Sequence, residues 1–162
     1  MILDAFSLQG KVAVVSGCDT GLGQGMALGL AEAGCDIVGI NIVEPTETIE
    51  RVTALGRRFL SLTADLRQID GIPALLERAV AEFGHIDILV NNSGGPPPAS
   101  AQGTGGEVWQ QQFSVMVASL IQLTDKLLPA MRSRGWGRII TTTSSGVITP
   151  IPGLALSNAL RM

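Results

Sequence analysis

Residues 11–34 read KVAVVSGCDTGLGQGMALGLAEAG, and the fold is decided in this stretch. Lys11 to Ser16 is a short run of β-branched and small residues that stops at glycine, the pattern of a parallel strand buried on both faces. From Leu22 onward the positions Leu22, Met26, Leu30 and Ala33 recur at helical spacing, and Gly34 supplies the stop. Gly17, Gly21 and Gly23 lie between the strand and the helix. A bend of this kind gathers backbone N–H groups and the positive end of a helix at one point, which suits a pyrophosphate. Gly17 allows the tight turn, Gly21 lets the backbone approach a ligand, and Gly23 lets helix pack closely on strand. In a chain with 20 glycines the spacing alone says little, so its place between strand and helix carries the weight.

Working outward, the same alternation continues. Asp36 to Ile42 reads as a second strand, Phe59 to Ala64 as a third, Ile86 to Asn91 as a fourth and Gly137 to Thr143 as a fifth. Helices are expected over Thr46 to Leu55 and Ile69 to Phe83. A long helical region is expected over Glu107 to Arg134, broken near Pro129. Strand alternating with helix predicts an α/β, Rossmann-type doubly wound parallel sheet in the order 3-2-1-4-5. Gly94 to Gly106 (GGPPPASAQGTGG) predicts an extended loop, either a plain surface connection or a flank of a binding crevice.

Composition bounds the rest. At 162 residues with 46% hydrophobic and 15% charged positions, the chain is long enough for one domain burying roughly 68–70% of its unfolded surface. Mean hydropathy is +0.36, yet no unbroken apolar run nears the ~20 residues that cross a bilayer. A net charge of −3 lacks the basic face a nucleic-acid binder carries. Two cysteines, Cys18 and Cys35, fit a reducing compartment, and no signal peptide is visible. The expectation is a cytoplasmic protein with no membrane, nucleic-acid or metal partner.

Gly17, Gly21 and Gly23 after strand one, Asp65 after strand three, and Asn91-Asn92-Ser93-Gly94 after strand four together resemble the short-chain dehydrogenase/reductase family. Ser16 stands where that family usually has threonine, and Ser93 where it has alanine. Residues 1 to about 92 resemble a sugar-acid branch. From Ser93 onward NNSGGPPP, RGWGRII and PIPGLALSNALR resemble another branch, which places a mosaic junction near 93 within a single domain, 1–162. The resemblance implies an NAD(P)-dependent oxidoreductase, a homo-oligomer, acting on a hydroxyl or keto group of a sugar acid such as 2-deoxy-D-gluconate.

It also implies that Gly17, Asp19, Thr20, Gly21, Leu22, Gly23, Asn41, Asp65, Leu66, Asn91, Ser93 and Gly94 hold the cofactor. Asp65 would meet the adenine amine, or else cap the following helix, and Asn91 would line the adenine ribose side. Asn41 ends strand two where NAD-using members place an acidic residue, and it can bond a ribose diol. It brings no charge for a 2′-phosphate, and Asp19 would repel one, so NAD is expected over NADP.

In the family a tyrosine is the general acid/base, a lysine lowers its pKa, and a serine bonds the substrate carbonyl. Here the serine is Ser144, with Ser145 as the alternative. Ser157 stands in the tyrosine slot, Arg161 in the lysine slot, and Met116 at a supporting asparagine. The chain contains no tyrosine at all. An aliphatic hydroxyl ionises far less readily than a phenol of pKa about 10, and losing a positioned general acid costs about 10²–10⁴-fold. His85 lies at the wrong end of strand four and is expected at the surface; Cys18 is expected to fill the turn. Leu154 to Met162 resembles the opening of the helix that bears the catalytic pair. A C-terminally incomplete domain is therefore expected, stopping before a sixth strand and leaving strand five as an open edge. Two functions follow: an NAD-linked oxidoreductase, or a dinucleotide-binding or structural fragment without turnover.

Overall fold

Five parallel strands form one sheet in the computed structural model, which describes residues 2–161. They are β1 (Val12–Ser16), β2 (Asp36–Asn41), β3 (Phe59–Thr63), β4 (Ile88–Asn91) and β5 (Arg138–Thr141). Their order is β3-β2-β1-β4-β5, the order expected from the strand–helix alternation. Val14 at the centre pairs with Val38 of β2 and with Leu89 of β4. β5 closes one edge, and all four of its residues are exposed.

Strand side chains alternate between faces, so each strand feeds two cores. Val12, Val14, Val38, Ile40, Leu62 and Leu89 pack under α3 (Ile72–Phe83) and under Leu120, Leu123, Leu127 and Met131 of a later helix. Ala13, Val15, Ile37, Ile88 and Val90 face Ala27, Leu28 and Ala31 of α1 (Gly21–Glu32) and Val52 of α2 (Thr46–Ala54). Small residues on α1 let it lie close to the sheet, which draws the glycine turn tight against β1.

The long helical region runs as α4 (Gly106–Phe113), a π-helical turn over Ser114–Ala118, and α5 (Ser119–Ser133). The expected break at Pro129 is absent, because Pro129 and Asp125, one turn earlier, both lie on the exposed face. Water can then satisfy the carbonyl that proline leaves unbonded. The irregularity sits at 114–118 instead, where Met116 is turned inward. Residues 106–133 are long and apolar enough to cross a membrane by length and composition. Their buried stripe, Leu120, Leu123, Leu127 and Met131, is taken up by the sheet. A six-residue helix, α6 (Ala155–Leu160), follows β5.

At the N-terminal end of the strands, buried Asp87 accepts the Val12 N–H at 3.2 Å and faces Lys11, His85 and Arg134. His85 lies 3.0 Å from Asp87 and is tied to this end of the sheet.

Cys18 and Cys35 are free and buried. Burial and neighbouring carboxylates push the Cys35 thiol from 9.0 up to about 12. Above pH 9 the unfolded chain therefore releases this proton while the folded chain keeps it, so stability falls as pH rises toward 12. Urea titrations across pH 8–12 should show a shallower alkaline loss for Cys35→Ala than for the parent chain; superimposable slopes would contradict this.

Candidate functional site

Sheet order reverses at β1, whose neighbours β2 and β4 carry the chain away in opposite directions. A crevice opens outside the carboxyl ends of the strands at such a point. Here it has a volume of about 600 Å³.

The glycine turn forms its floor. Gly17 and Gly21 have φ of +63° and +57°, in the left-handed region that other residues avoid. A Cβ on Gly23 would lie 1.8 Å from the Gly17 carbonyl oxygen, so only glycine lets α1 start there. A Cβ on Gly21 meets nothing within 4 Å, which leaves the turn open toward the crevice. Thr20, the residue before α1, makes no side-chain cap bond, and the first turn of α1 holds no acidic residue. The leading amides of that helix are thus left without a side-chain acceptor.

Two asparagines pin the turn from either side. Asn41 Oδ1 accepts the Cys18 N–H at 2.7 Å, while Asn92 Nδ2 donates to the Gly17 carbonyl at 3.0 Å. Ser16 Oγ accepts the Asn92 N–H at 3.0 Å, the service a threonine hydroxyl would give. Thr48 Oγ1 donates to the Cys18 carbonyl at 2.8 Å. The Cys18 thiol is buried beside Gly39, and burial raises its pKa, so it remains a neutral space-filler.

Of the residues expected to hold a cofactor, Gly17, Asp19, Thr20, Gly21, Leu22, Gly23, Asn41, Asp65, Leu66, Ser93 and Gly94 all line this crevice. One correction applies. Asn91 does not line it: side chains alternate along β4, so Asn91 points to the α5 side and donates to Thr124 and Thr141. It borders a second cavity of about 290 Å³ with Met116, Leu120 and Arg161. Asn92, one residue on, takes the place at the crevice wall. Asn41 lines the crevice but is 4% exposed, its Oδ1 accepting the Cys18 N–H and its Nδ2 lying 3.5 Å from the Cys18 sulfur, so it braces the turn.

Asp65 neither caps α3 nor stands free. Its carboxylate accepts the Arg67 N–H at 2.9 Å and the Arg67 Nε at 2.7 and 3.0 Å. Those bonds hold its pKa below the usual carboxylate range. Arg67, which the sequence did not single out, also lines the crevice.

The catalytic candidates scatter. Ser144 Oγ accepts the Gly146 N–H at 3.1 Å, Ser157 is 8% exposed on α6, and neither lines the crevice. Arg161 does line it, and a Cβ on Gly95 would sit 3.2 Å from its Nη2. Gly94 and Gly95 belong to the glycine- and proline-rich loop, which therefore flanks the crevice. Ala99 of that loop pairs with Leu154 in an isolated bridge.

A doubly wound sheet, an uncapped glycine turn and a crevice at the switch point define a dinucleotide-binding architecture. The residues present fit such a group: Gly21 leaves the phosphate position clear, and the amides behind it lack a side-chain partner. The sequence model described as "short chain dehydrogenase" matches residues 11–158, and the chain belongs to that family of oxidoreductases.

It is 65% identical over 145 residues to 2-dehydro-3-deoxy-D-gluconate 5-dehydrogenase of Escherichia coli strain K12, covering 89% of this chain and 57% of that one. The chain thus spans little more than half the length of that relative. Both matches run past position 93. Among solved structures it resembles 3-oxoacyl (acyl-carrier-protein) reductase of Agrobacterium tumefaciens C58 with NADP bound. That match has a TM-score of 0.93 and 27% identity, over 99% of this chain and 63% of the other. It also resembles carveol dehydrogenase of Mycobacterium avium in complex with NAD, with a TM-score of 0.87 and 27% identity, over 95% and 61% of the two chains.

Gly23→Ala should lower stability by at least about 2 kcal/mol, since the new methyl strikes backbone. Asn92→Ala should cost about 1–3 kcal/mol by stranding the Gly17 carbonyl. Denaturant midpoints test both, and a Gly23→Ala protein as stable as its parent would refute the packing argument.

Proposed function

We propose that this chain binds NAD in the switch-point crevice as the dinucleotide domain of an oxidoreductase of the sugar-acid type, with proton transfer impaired. The observation that carries the reading is the open, uncapped glycine turn at Gly21. Backbone amides around Gly21 and Leu22 would hold the pyrophosphate, and Ile42, Val43, Leu66 and Arg67 would enclose the base end. Asp19 at the turn disfavours a further phosphate, which argues for NAD over NADP. The name of the 65%-identical relative supports 2-dehydro-3-deoxy-D-gluconate as the substrate, and 2-deoxy-D-gluconate is a second sugar acid to test beside it.

NAD, when bound, supplies the hydride acceptor. The chain's own contribution at the reacting end is the Arg161 cation. It sits beside Gly95 with no phenol to act on, since the sequence has no tyrosine and Ser157, in that slot, is buried. An unassisted aliphatic hydroxyl leaves the substrate proton to water. Exposed Phe113 and Ile121 on α4 and α5 support a homo-oligomer, and the free buried cysteines support a reducing, cytoplasmic setting.

Calorimetric titration should show NAD binding, abolished in Gly21→Val. NADH formation with either sugar acid should run about 10²–10⁴-fold below that of a relative with the full catalytic set. Unchanged NAD affinity in Gly21→Val would overturn the binding site, and turnover equal to the relative's would overturn the impairment.

A further inference from the structure

The glycine- and proline-rich segment, 94–106, borders the crevice at its start. Gly94 and Gly95 line the crevice, and a Cβ on Gly95 would lie 3.2 Å from the Arg161 Nη2. No residue from Gly94 to Gly106 is buried. Among the described residues, those from Pro96 to Thr104 are hydrogen-bonded to the rest of the chain through Ala99 alone. Its N–H donates to the Gly153 carbonyl at 2.8 Å, and its carbonyl accepts the Ala155 N–H at 3.0 Å. The other bonds are internal: Ser100 Oγ donates to the Gln102 carbonyl, and Thr104 Oγ1 to the Ser100 carbonyl.

The sequence gives this segment a stiff middle and loose ends. Pro96, Pro97 and Pro98 fix φ and hold the residue before each of them extended, so the arm leading to Ala99 moves as a unit. Gly94 and Gly95 lie before the arm, and Gly103, Gly105 and Gly106 lie behind it, where the loop joins α4. Glycine has the broadest backbone freedom, so bending concentrates at these two ends. The 153–155 turn is firm by comparison. Asn158 closes it onto Ile151 through bonds of 2.9 and 3.2 Å, and Leu156 and Ser157, just past Ala155, are buried.

We propose that residues 94–106 form a hinged strap beside the crevice, latched by Ala99 to the 153–155 turn, and that a dinucleotide enters and leaves when this latch opens. The inference rests on the reading of the crevice as a dinucleotide site. An exposed segment held by one residue's backbone bonds opens far more readily than the sheet it springs from. Swinging the arm away carries Gly95 off Arg161 and widens the mouth between them; relatching restores the wall. Ala99, Gly153 and Ala155 do not themselves line the crevice, so the latch acts alike on the free and the occupied chain. It sets how fast ligand exchanges and leaves the affinity nearly untouched.

Two variants move the latch in opposite directions. Ala99→Pro removes the N–H that bonds Gly153 and should raise the hydrogen-exchange rate of the Ala155 amide about three- to tenfold. A Cβ on Gly106, the first residue of α4, meets nothing within 4 Å, so Gly106→Ala fits the folded chain. It stiffens one hinge and should slow the Ala155 exchange about two- to fivefold. Stopped-flow fluorescence with NADH then reads the gate. Association and dissociation rates should rise together in Ala99→Pro and fall together in Gly106→Ala, with dissociation constants within about twofold of the parent's. Parent-like rates in both variants, or a dissociation rate that changes alone, would overturn the gate, and parent-like Ala155 exchange in both would overturn the latch. A parent chain that takes up no NADH would overturn the dinucleotide reading and the gate with it. That result is separable from the others, because amide exchange is measured without ligand.

Discussion

The contact between the Gly17 carbonyl and the bare Cα of Gly23 is the constraint on which the rest of the molecule turns. It fixes how closely α1 approaches β1, and so where the helix amides emerge. Nothing in the turn itself could hold so tight a bend. It is held from both neighbours of β1: Asn41 reaches in from β2 and Asn92 from the end of β4. The reversal of strand order is therefore more than the place where a crevice opens. It delivers one amide side chain to each side of the glycines, from the strand on either hand of β1.

Much of this was legible before any coordinates. Strand–helix alternation with β-branched runs of four to six residues has few solutions once crossovers must be right-handed, so the order β3-β2-β1-β4-β5 followed. The glycines were legible for the same reason: each does something no other residue can. The supports were less so. Asn41, Thr48 and Asn92 work through hydrogen bonds across 23 to 75 residues of sequence, and no local spacing encodes such pairings. One signal was readable. Side chains alternate along β4, so Leu89, facing α3 and α5, predicts that Asn91 faces the same way and that Asn92 belongs to the turn. The pairing of Asp65 with Arg67, two residues on, was equally local, and a family-based role for Asp65 alone obscured it. Pro129 misled because a proline is disruptive only where its lost bond cannot be met by water.

The two ends of the crevice have different standing. Around the glycine turn and the ends of β2 and β3, amides, small residues and the Asp65–Arg67 ion pair are in place, each with a geometric reason for its identity. At the other end the polar groups make short-range structural bonds. Ser144 caps its own turn, and Asn158 closes the 151–158 loop by exchanging two bonds with the Ile151 backbone. Accepting the Gly146 N–H leaves the Ser144 hydroxyl its own proton to donate.

The edge position of β5 adds a mechanical consequence. β1, β2 and β4 are each flanked on both sides, whereas β3 and β5 are edges, and of the two only β5 exposes all its residues. Amide protons should therefore exchange with solvent soonest along the 138–142 rim and last along β1. The wall of the crevice carrying Ile42 follows β2, a strand flanked on both sides, and the wall carrying Thr142 follows the edge strand β5. A ligand spanning both would be gripped by an anvil at one end and a spring at the other.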